Sequence, residues 1–421
     1  MKILVVGGGG REHAIIKKLR ENPEVREVFA LPGNGGIALE ATCAPIGATE
    51  IERIRDFAVE KAVDFAVVAP DDPLVLGCVD LLEASSIPCF GPNKAAAIIE
   101  GSKVFSKELM KKYGIPTATY DVFESADEAL KFVEGSETFP MVIKADGLAL
   151  GKGVIIAESK DGALEAIRSI MLDRVFGESG KRIVIEEFLT GPEVSVLSFT
   201  DGKTIVPMVS SMDHKRALDG DKGLNTGGMG AIAPNPYYTE EIQKRCMEEI
   251  FLPTIRAMNA EGRTFKGCLY FGLMLTEKGP KVIEYNCRFG DPETQVVLPL
   301  LKTDLPTIMK AVREGTLSEV EVEFSSGSAC CVVMASGGYP QEYEKGKEIT
   351  FSDTKDAIIY HAGTRLENGK ILTNGGRVLG VTATADTLPE AIKKAYEAVK
   401  GVRFEGAHYR RDIGARALQK Q

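Results

Sequence analysis

The segment Val282-Ile283-Glu284-Tyr285-Asn286-Cys287-Arg288-Phe289-Gly290-Asp291 concentrates more chemistry than any other stretch of the chain. In a strand, residues two apart share a face, so Glu284 and Asn286 project together and Arg288 follows on the same alternation. A carboxylate and an amide oxygen are hard donors that suit Mg²⁺ held jointly with nucleotide phosphates. Arg288 is able to grip an anion through its planar fork. A structural salt-bridge network is the competing reading of the same residues.

A second group lies upstream. Asp213-His214-Lys215-Arg216 and Asn225-Thr226-Gly227-Gly228-Met229-Gly230 set charges of both signs beside backbone-exposing glycines. That describes either a polar substrate pocket or a solvated loop, and His214 is either a proton shuttle or an ordinary surface histidine. Ile183 to Phe188 is an apolar strand ending on Glu186 and Glu187. Paired acids at a strand end face water unless a nucleotide lies nearby. With one present, the backbone from Glu186 to Leu189 would read adenine and Glu193 would accept ribose hydroxyls.

Two glycine-rich turns complete the set. From Lys144 to Gly153, three residues separate Gly147 from Gly151-Lys152, and Gly153 stands where a P-loop needs Ser or Thr. The P-loop reading fails. What remains is Lys144 as a fixed counter-charge beside a lysine-tipped lid over a polyphosphate, or a solvated hairpin. At the N-terminus, Gly7 to Gly10 followed by Arg11 leaves N–H groups free at a helix start, an anion site built on Gly9, Gly10 and Arg11. The dinucleotide fingerprint is incomplete, because Glu12 or His13 occupies the third glycine position. Phosphate binding and a merely tight turn both fit.

The elements that must position these groups follow from periodicity. Lys2–Val6, Val28–Leu31 and Phe65–Ala69 read as buried strands alternating with helical stretches at Arg11–Leu19 and Val75–Ala84, which implies a doubly wound parallel sheet. Its ligand belongs beyond the carboxyl ends of the strands. Strands at Met141–Lys144 and Gly153–Ala157 with a helix over Asp161–Leu172 form a small α/β module, closed by a hinge at Thr190-Gly191-Pro192. A helix around Glu240 to Met258 belongs to a larger unit, and Ser325-Ser326-Gly327-Ser328 leads into a final α/β module. The expected units are 1–120, 121–191, 192–324 and 325–421.

Composition narrows the function classes. The 421 residues carry 51 basic and 60 acidic side chains, a net charge of −9, with no basic block or aromatic-basic interleaving. Nucleic acid is therefore not an expected partner. No apolar run approaches the roughly 20 residues of a membrane span, and MKILVVGGGG lacks the h-region of a signal peptide. The eight cysteines show no CxxC spacing, which fits reduced thiols in a cytoplasmic protein. A monomer without nucleic-acid or membrane partners is expected.

Taken together, KILVVGGGGREHA, GPNKAAAIIEGSK, VIKADGLALGKGV, IVIEEFLTGPE, MDHKR, NTGGMGA, VIEYNCRFGDPETQ, the HAGT at His361 and the NGGRVL at Asn374 closely resemble phosphoribosylamine–glycine ligases of the ATP-grasp superfamily, over essentially the whole chain. The resemblance implies an N-terminal α/β domain, an ATP-grasp core with a mobile lid, and a C-terminal α/β domain. It implies ATP contacts from Lys103, Lys144, Glu186, Leu189 and Glu193, with Glu187 alongside, and Mg²⁺ (or Mn²⁺) at Glu284 and Asn286. The substrate candidates are Gly9, Gly10, Arg11, Asp213, Lys215, Arg216, Gly227, Arg288 and Asp291, with Arg288, Asp213 and Lys144 closest to catalysis.

The implied reaction is ligation of glycine to 5-phosphoribosylamine through a glycyl phosphate, a step in de novo purine biosynthesis. Glycine offers a carboxylate and an ammonium but no side chain. Arg288 would grip the first, Asp213 would hold the second, and the Thr226–Gly230 backbone would leave no room for more.

Three departures stand out: Gly8 where the family has Asn, Ala69-Pro70-Asp71-Asp72 for a Gly-Pro-Glu-aliphatic pattern, and Leu224 where Pro is common. Tyr270 to Leu275 offers no further metal carboxylate. The rival readings are an ATP-grasp ligase for another carboxylate and amine, an NAD-dependent oxidoreductase, and a non-catalytic nucleotide sensor. The NTGGMGA and DHKR segments speak against the first, and the broken fingerprint against the second.

Overall fold

The computed structural model of the protein describes residues 1–149 and 153–420. The N-terminal apolar run forms Lys2–Gly7, the middle strand of a five-stranded parallel sheet. Its spatial order is Thr42–Cys43, Glu27–Pro32, Lys2–Gly7, Phe65–Val68, Cys89–Phe90. Ile3 to Val6 are buried on both faces, as a parallel strand covered by helices requires. The helix Gly10–Leu19 follows directly. The stretch 75–84, expected as one helix, is parts of two, Asp71–Leu76 and Cys78–Ala84. Gly77 separates them with a φ of +94°, a left-handed conformation that a continuing helix cannot hold.

A second, antiparallel sheet runs Tyr120–Phe123, Ile183–Glu187, Met141–Ala145, Val154–Ala157. The helix expected over 161–172 is present as Lys160–Ile167, continued by a π-turn over Arg168–Leu172. Ile143, Ala145, Ile167, Ile170 and Ile183 give this module an apolar core of its own. The tip of its glycine loop, with Lys152, lies outside the described residues.

Facing it is a four-stranded antiparallel sheet of order Ile205–Pro207, Glu193–Thr200, Gly267–Thr276, Gly279–Asn286. The connection from Glu187 to Glu193 passes through Gly191, whose φ of +143° and 2.1 Å approach of a built Cβ to the Leu275 carbonyl admit only glycine. A long helix backs the sheet, Glu240–Cys246 and Leu252–Ala260 joined by a π-turn.

The last sheet, in the order Met212–Asp213, Gly230–Ala233, Ser328–Ala335, Arg377–Ala385, Ile358–His361, is antiparallel and packs the helix Leu388–Val399. Its first two strands come from the 192–324 stretch, so the DHKR segment grows out of the edge of a C-terminal sheet. One apolar cluster joins Val6 and Leu74 to Val196, Phe271 and Tyr285, and a second joins Ile15 to Phe199, Val296 and Cys331. The parallel sheet and the facing sheet are thus packed on shared cores, where each fully buried Leu or Phe is worth about 1.5–3 kcal/mol. Among the described residues, all eight cysteines are free thiols, and no helix is long and apolar enough to cross a membrane.

Candidate active site

The two antiparallel sheets close on a cleft whose cavity measures about 530 Å³. The strand Gly279–Asn286 forms its floor. A bulge where Gly272 and Leu273 pair with Glu284 and Val282 shifts the phase of this strand, so that Val282 and Tyr285 are buried. After the bulge Glu284 and Asn286 both face the cleft. Arg288 lies beyond the strand end. Its Nη2 donates to Glu100 Oε1 at 3.0 Å and to Asn286 Oδ1 at 3.3 Å, while its buried Nε has no partner among the described residues. Burial works against the charge of Glu284, yet Lys215, Lys144, Lys103 and Arg288 outweigh it and hold the carboxyl below the usual range. Among the described residues no cation comes close enough to Glu284 for an ion pair.

Strand alternation separates the paired acids of 186–187. Glu186 is buried between Lys107 Nζ at 3.1 Å and Lys144 Nζ at 3.0 Å. Lys144 also donates to the Ile283 carbonyl at 3.1 Å, which ties the small sheet to the floor strand. Glu187 sits on the outer face, where it accepts the Thr119 N–H at 3.0 Å and pairs with Lys281 at 3.1 Å. Its side chain is thus engaged by protein partners. Residues 186 to 189 still line the cleft. Lys103 reaches the Gly147 carbonyl at 2.6 Å, fixing the root of the glycine loop. Glu193, exposed, pairs with Lys215 at 3.1 Å, and that carboxylate is the main reason the Lys215 ammonium is held well above its ordinary pKa.

At the far end stand the groups of the second constellation. Asp213 lies beside Gly228 on a buried site, and its Oδ1 has no hydrogen-bond partner among the described residues. Burial, reinforced by the nearby Glu293, pushes its carboxyl well up. Arg216 and Gly227 border the same cavity. His214 is buried rather than on the surface: its Nδ1 lies 3.3 Å from the Gly230 carbonyl and its Nε2 accepts the Gly414 N–H at 3.0 Å. Both ring nitrogens are committed, and burial holds the imidazolium pKa down to about 4.

At the N-terminal glycine turn two backbone N–H groups have carboxylate partners. The N–H of Gly9 donates to Glu12 at 2.6 Å and that of Arg11 to Asp291 Oδ2 at 3.1 Å. The helix start is covered by the protein's own carboxylates, and Gly9, Gly10 and Arg11 do not line the cavity. Asp291 is turned to this helix and to Arg377; burial opposes its charge, and Arg377 and Arg11 overcome it.

Glu100 and Lys107 line the cleft although neither was singled out in the sequence, and Asp71, Tyr270 and Glu293 join them there. Tyr270 donates to Glu293 at 3.0 Å and shares a 2.8 Å hydrogen bond with Ser195. Lys107 was findable, since it stands four residues after Lys103 on one helix and so shares its face.

A cleft between two antiparallel sheets, lined by lysines and acids, places the protein in the ATP-grasp class. A family model for the phosphoribosylglycinamide synthetase ATP-grasp (A) domain matches residues 101–294, and those for the N and C domains of the same enzyme match 1–100 and 329–416. The chain belongs to the phosphoribosylglycinamide synthetase family. It is 48% identical over 417 residues to a phosphoribosylamine–glycine ligase of Caldanaerobacter subterraneus subsp. tengcongensis, covering 99% of this chain and 100% of that one. It is 50% identical to the Clostridium acetobutylicum ligase over 98% of this chain and 99% of the relative. A crystal structure of the Thermotoga maritima ligase superposes with a TM-score of 0.86 at 37% identity, covering 98% of this chain and 100% of that chain.

Proposed function

We propose that this protein joins glycine to 5-phosphoribosylamine, with ATP converted to ADP and phosphate, and yields glycinamide ribonucleotide for de novo purine biosynthesis. The observation that carries the reading is the division of one cleft into two chemistries. One half is a ring of cations around an ionised Glu284 that has no ion pair among the described residues. The other is a buried Asp213 oxygen facing a backbone-rich turn. The first suits a polyphosphate with its divalent ion, and the second suits a small ammonium-bearing acid.

The donor set fits a divalent ion that arrives with the nucleotide. Glu284 and the Asn286 amide oxygen are hard donors on one strand face, and among the described residues no other carboxylate joins them on the neighbouring strand, where Gly272 stands opposite Glu284. Among the described residues no group of three or more His, Cys, Asp or Glu could hold a metal alone. Glu284 and Asn286 would hold Mg²⁺ or Mn²⁺ together with phosphate oxygens, and the ion would neutralise charge on the transferring phosphoryl group.

The chain's own residues do the rest. Lys144, anchored by Glu186, and Lys103 offset phosphate charge. The 186–189 backbone and Glu193 meet adenine and ribose. Arg288 grips the glycine carboxylate through its Nε, which has no partner among the described residues, and Asp213 takes the ammonium, whose charge favours the ionised carboxylate that burial opposes. A carboxylate oxygen attacks the γ-phosphorus and ADP leaves. The sugar amine then attacks the acyl carbon and phosphate leaves, a sequence governed by positioning and electrostatics rather than by a protein nucleophile. Lys215, Arg216, Gly227 and Asp291 shape the acceptor end. The 121–191 unit acts as the lid that keeps water from the acyl phosphate, between the 1–120, 192–324 and 325–421 units.

The protein works as a cytoplasmic monomer. Incubation with ATP, Mg²⁺, ¹³C-glycine and freshly generated phosphoribosylamine should give labelled glycinamide ribonucleotide by mass spectrometry, with one ADP per product. ADP release without labelled amide would overturn the proposal.

A further inference from the structure

Arg377 opens the strand Arg377–Ala385 and stands behind the cleft rather than in its lining. Its Nη1 donates to the carbonyls of Gly227 at 2.7 Å and Asp291 at 2.8 Å, and lies 3.4 Å from that of Gly228. The Asp291 carboxylate, 3.5 Å away, supplies the counter-charge. Tyr339, from the same C-terminal module, accepts the Gly227 N–H on its hydroxyl at 3.1 Å. The contact is close-fitting. A Cβ on Gly227 would come within 2.8 Å of the Arg377 guanidinium carbon, and one on Gly376 within 2.2 Å of the Tyr339 ring. On the cleft side of the same turn, a Cβ on Gly228 would meet Asp213 Oδ1 at 2.7 Å.

We infer that Arg377, assisted by Tyr339, is a positioning residue that fixes the width of the amino-acid pocket and so enforces selection for an acid without a side chain. The inference rests on the reading of Asp213 as the ammonium partner. Glycines are the most permissive backbone positions, and a turn built on Gly227 and Gly228 holds one shape only if something outside it imposes that shape. Here three carbonyl contacts converge on one nitrogen, Arg377 Nη1, which a rigid planar guanidinium holds in place more firmly than a flexible lysine stem would hold an ammonium. With the clamp gone, the turn gains freedom to move away from Asp213 and admit an extra methyl group. The nucleotide half of the cleft, built on other strands, keeps its shape.

The test is steady-state kinetics of Arg377→Lys, Arg377→Met and Tyr339→Phe, with glycine and alanine as alternative amino-acid substrates, KM for ATP measured alongside, and thermal melts. Asp213→Asn serves as the control for the pocket. Arg377→Met should raise KM for glycine about 10- to 100-fold, the loss expected of hydrogen bonds to a charged group. Its preference for glycine over alanine should fall by roughly the 10-fold that one methyl group can carry. KM for ATP should stay unchanged, Arg377→Lys should lie between, and Tyr339→Phe should shift selectivity in the same direction by less. Wild-type selectivity in the Arg377 variants, with a raised glycine KM in Asp213→Asn, overturns the inference while the pocket reading stands. An unchanged glycine KM in Asp213→Asn removes the pocket reading and the inference with it. Equal losses toward ATP and glycine with a lowered melt assign Arg377 to the fold alone and also overturn it. If the Arg377 variants do not fold, Tyr339→Phe decides, and unchanged selectivity there refutes the clamp.

Discussion

Replacing Arg288 by lysine should lower both stability and catalysis, because its guanidinium serves two masters. Nη2 holds Glu100 at 3.0 Å and Asn286 at 3.3 Å, and Nη1 donates to the Phe289 carbonyl at 3.3 Å. Glu100 needs that partner: burial pushes its carboxyl up, and Arg288 offsets only part of the effect. A lysine ammonium can keep Glu100 but cannot also hold Asn286 and the Phe289 carbonyl. Loss of hydrogen bonds to a charged group costs about 1.5–3 kcal/mol. Arg288→Met removes the cation altogether and leaves a buried carboxylate unpaired, at about 3–5 kcal/mol.

On the proposed reading the Arg288 Nε, which has no hydrogen-bond partner among the described residues, is the part left for substrate. Losing it should reduce kcat/KM for glycine by about 10- to 150-fold, the same 1.5–3 kcal/mol at a factor of ten per 1.4. Urea unfolding without ligands reads the first effect and steady-state kinetics the second. An Arg288→Lys enzyme unchanged in both would refute the reasoning. A lowered midpoint with intact kcat/KM would leave the Glu100 pair standing and sink the anion grip.

Three further predictions use other parts of the cleft. Glu284→Gln should cut kcat/KM at limiting Mg²⁺ by roughly 100-fold or more, since a hard anionic ligand is lost, and part of the loss should return as Mg²⁺ is raised; a Mg²⁺ dependence like that of the wild type would contradict the metal assignment. Lys107, whose ammonium burial lowers to about 8 despite Glu186, is charged below that pH and neutral above it. KM for ATP should therefore climb above pH 8 in the wild type and less so in Lys107→Arg. Between about 8 and 10.5 the unfolded chain binds the extra proton, so this group's contribution to stability grows with pH. Gly191→Ala should lower the unfolding free energy by about 1–3 kcal/mol, from a strained φ and a Cβ pressed on the Leu275 carbonyl; an unchanged urea midpoint would show that the turn tolerates a side chain.

What the sequence made legible is what short-range periodicity carries. The strands at Lys2–Gly7 and Met141–Ala145 follow from apolar runs, and the shared face of Glu284 and Asn286 from simple alternation. The bulge before Glu284 left no local trace, although it sets the phase that makes the alternation true. Gly77 shows the converse, where an apolar pattern runs on through a residue whose backbone breaks the helix. At the Gly7–Gly10 turn the sequence left phosphate binding and a tight turn both open, because a carboxylate that meets the turn is distant in the chain. Asp291 supplies it from 280 residues away, and no local spacing encodes such a partner. The same distance problem hides Glu100 from Arg288, 188 residues on, and Arg377 from Gly227.

The central claim is that glycine is activated as an acyl phosphate inside this cleft before the amine attacks. Glycine labelled with ¹⁸O in both carboxylate oxygens tests it most directly. If a carboxylate oxygen attacks the γ-phosphorus, the acyl–oxygen bond breaks when the amine adds. One ¹⁸O then leaves with the inorganic phosphate and one stays in the amide. Mass spectrometry of the phosphate should show one ¹⁸O per molecule, dependent on phosphoribosylamine. Unlabelled phosphate released in step with labelled glycinamide ribonucleotide would contradict the account.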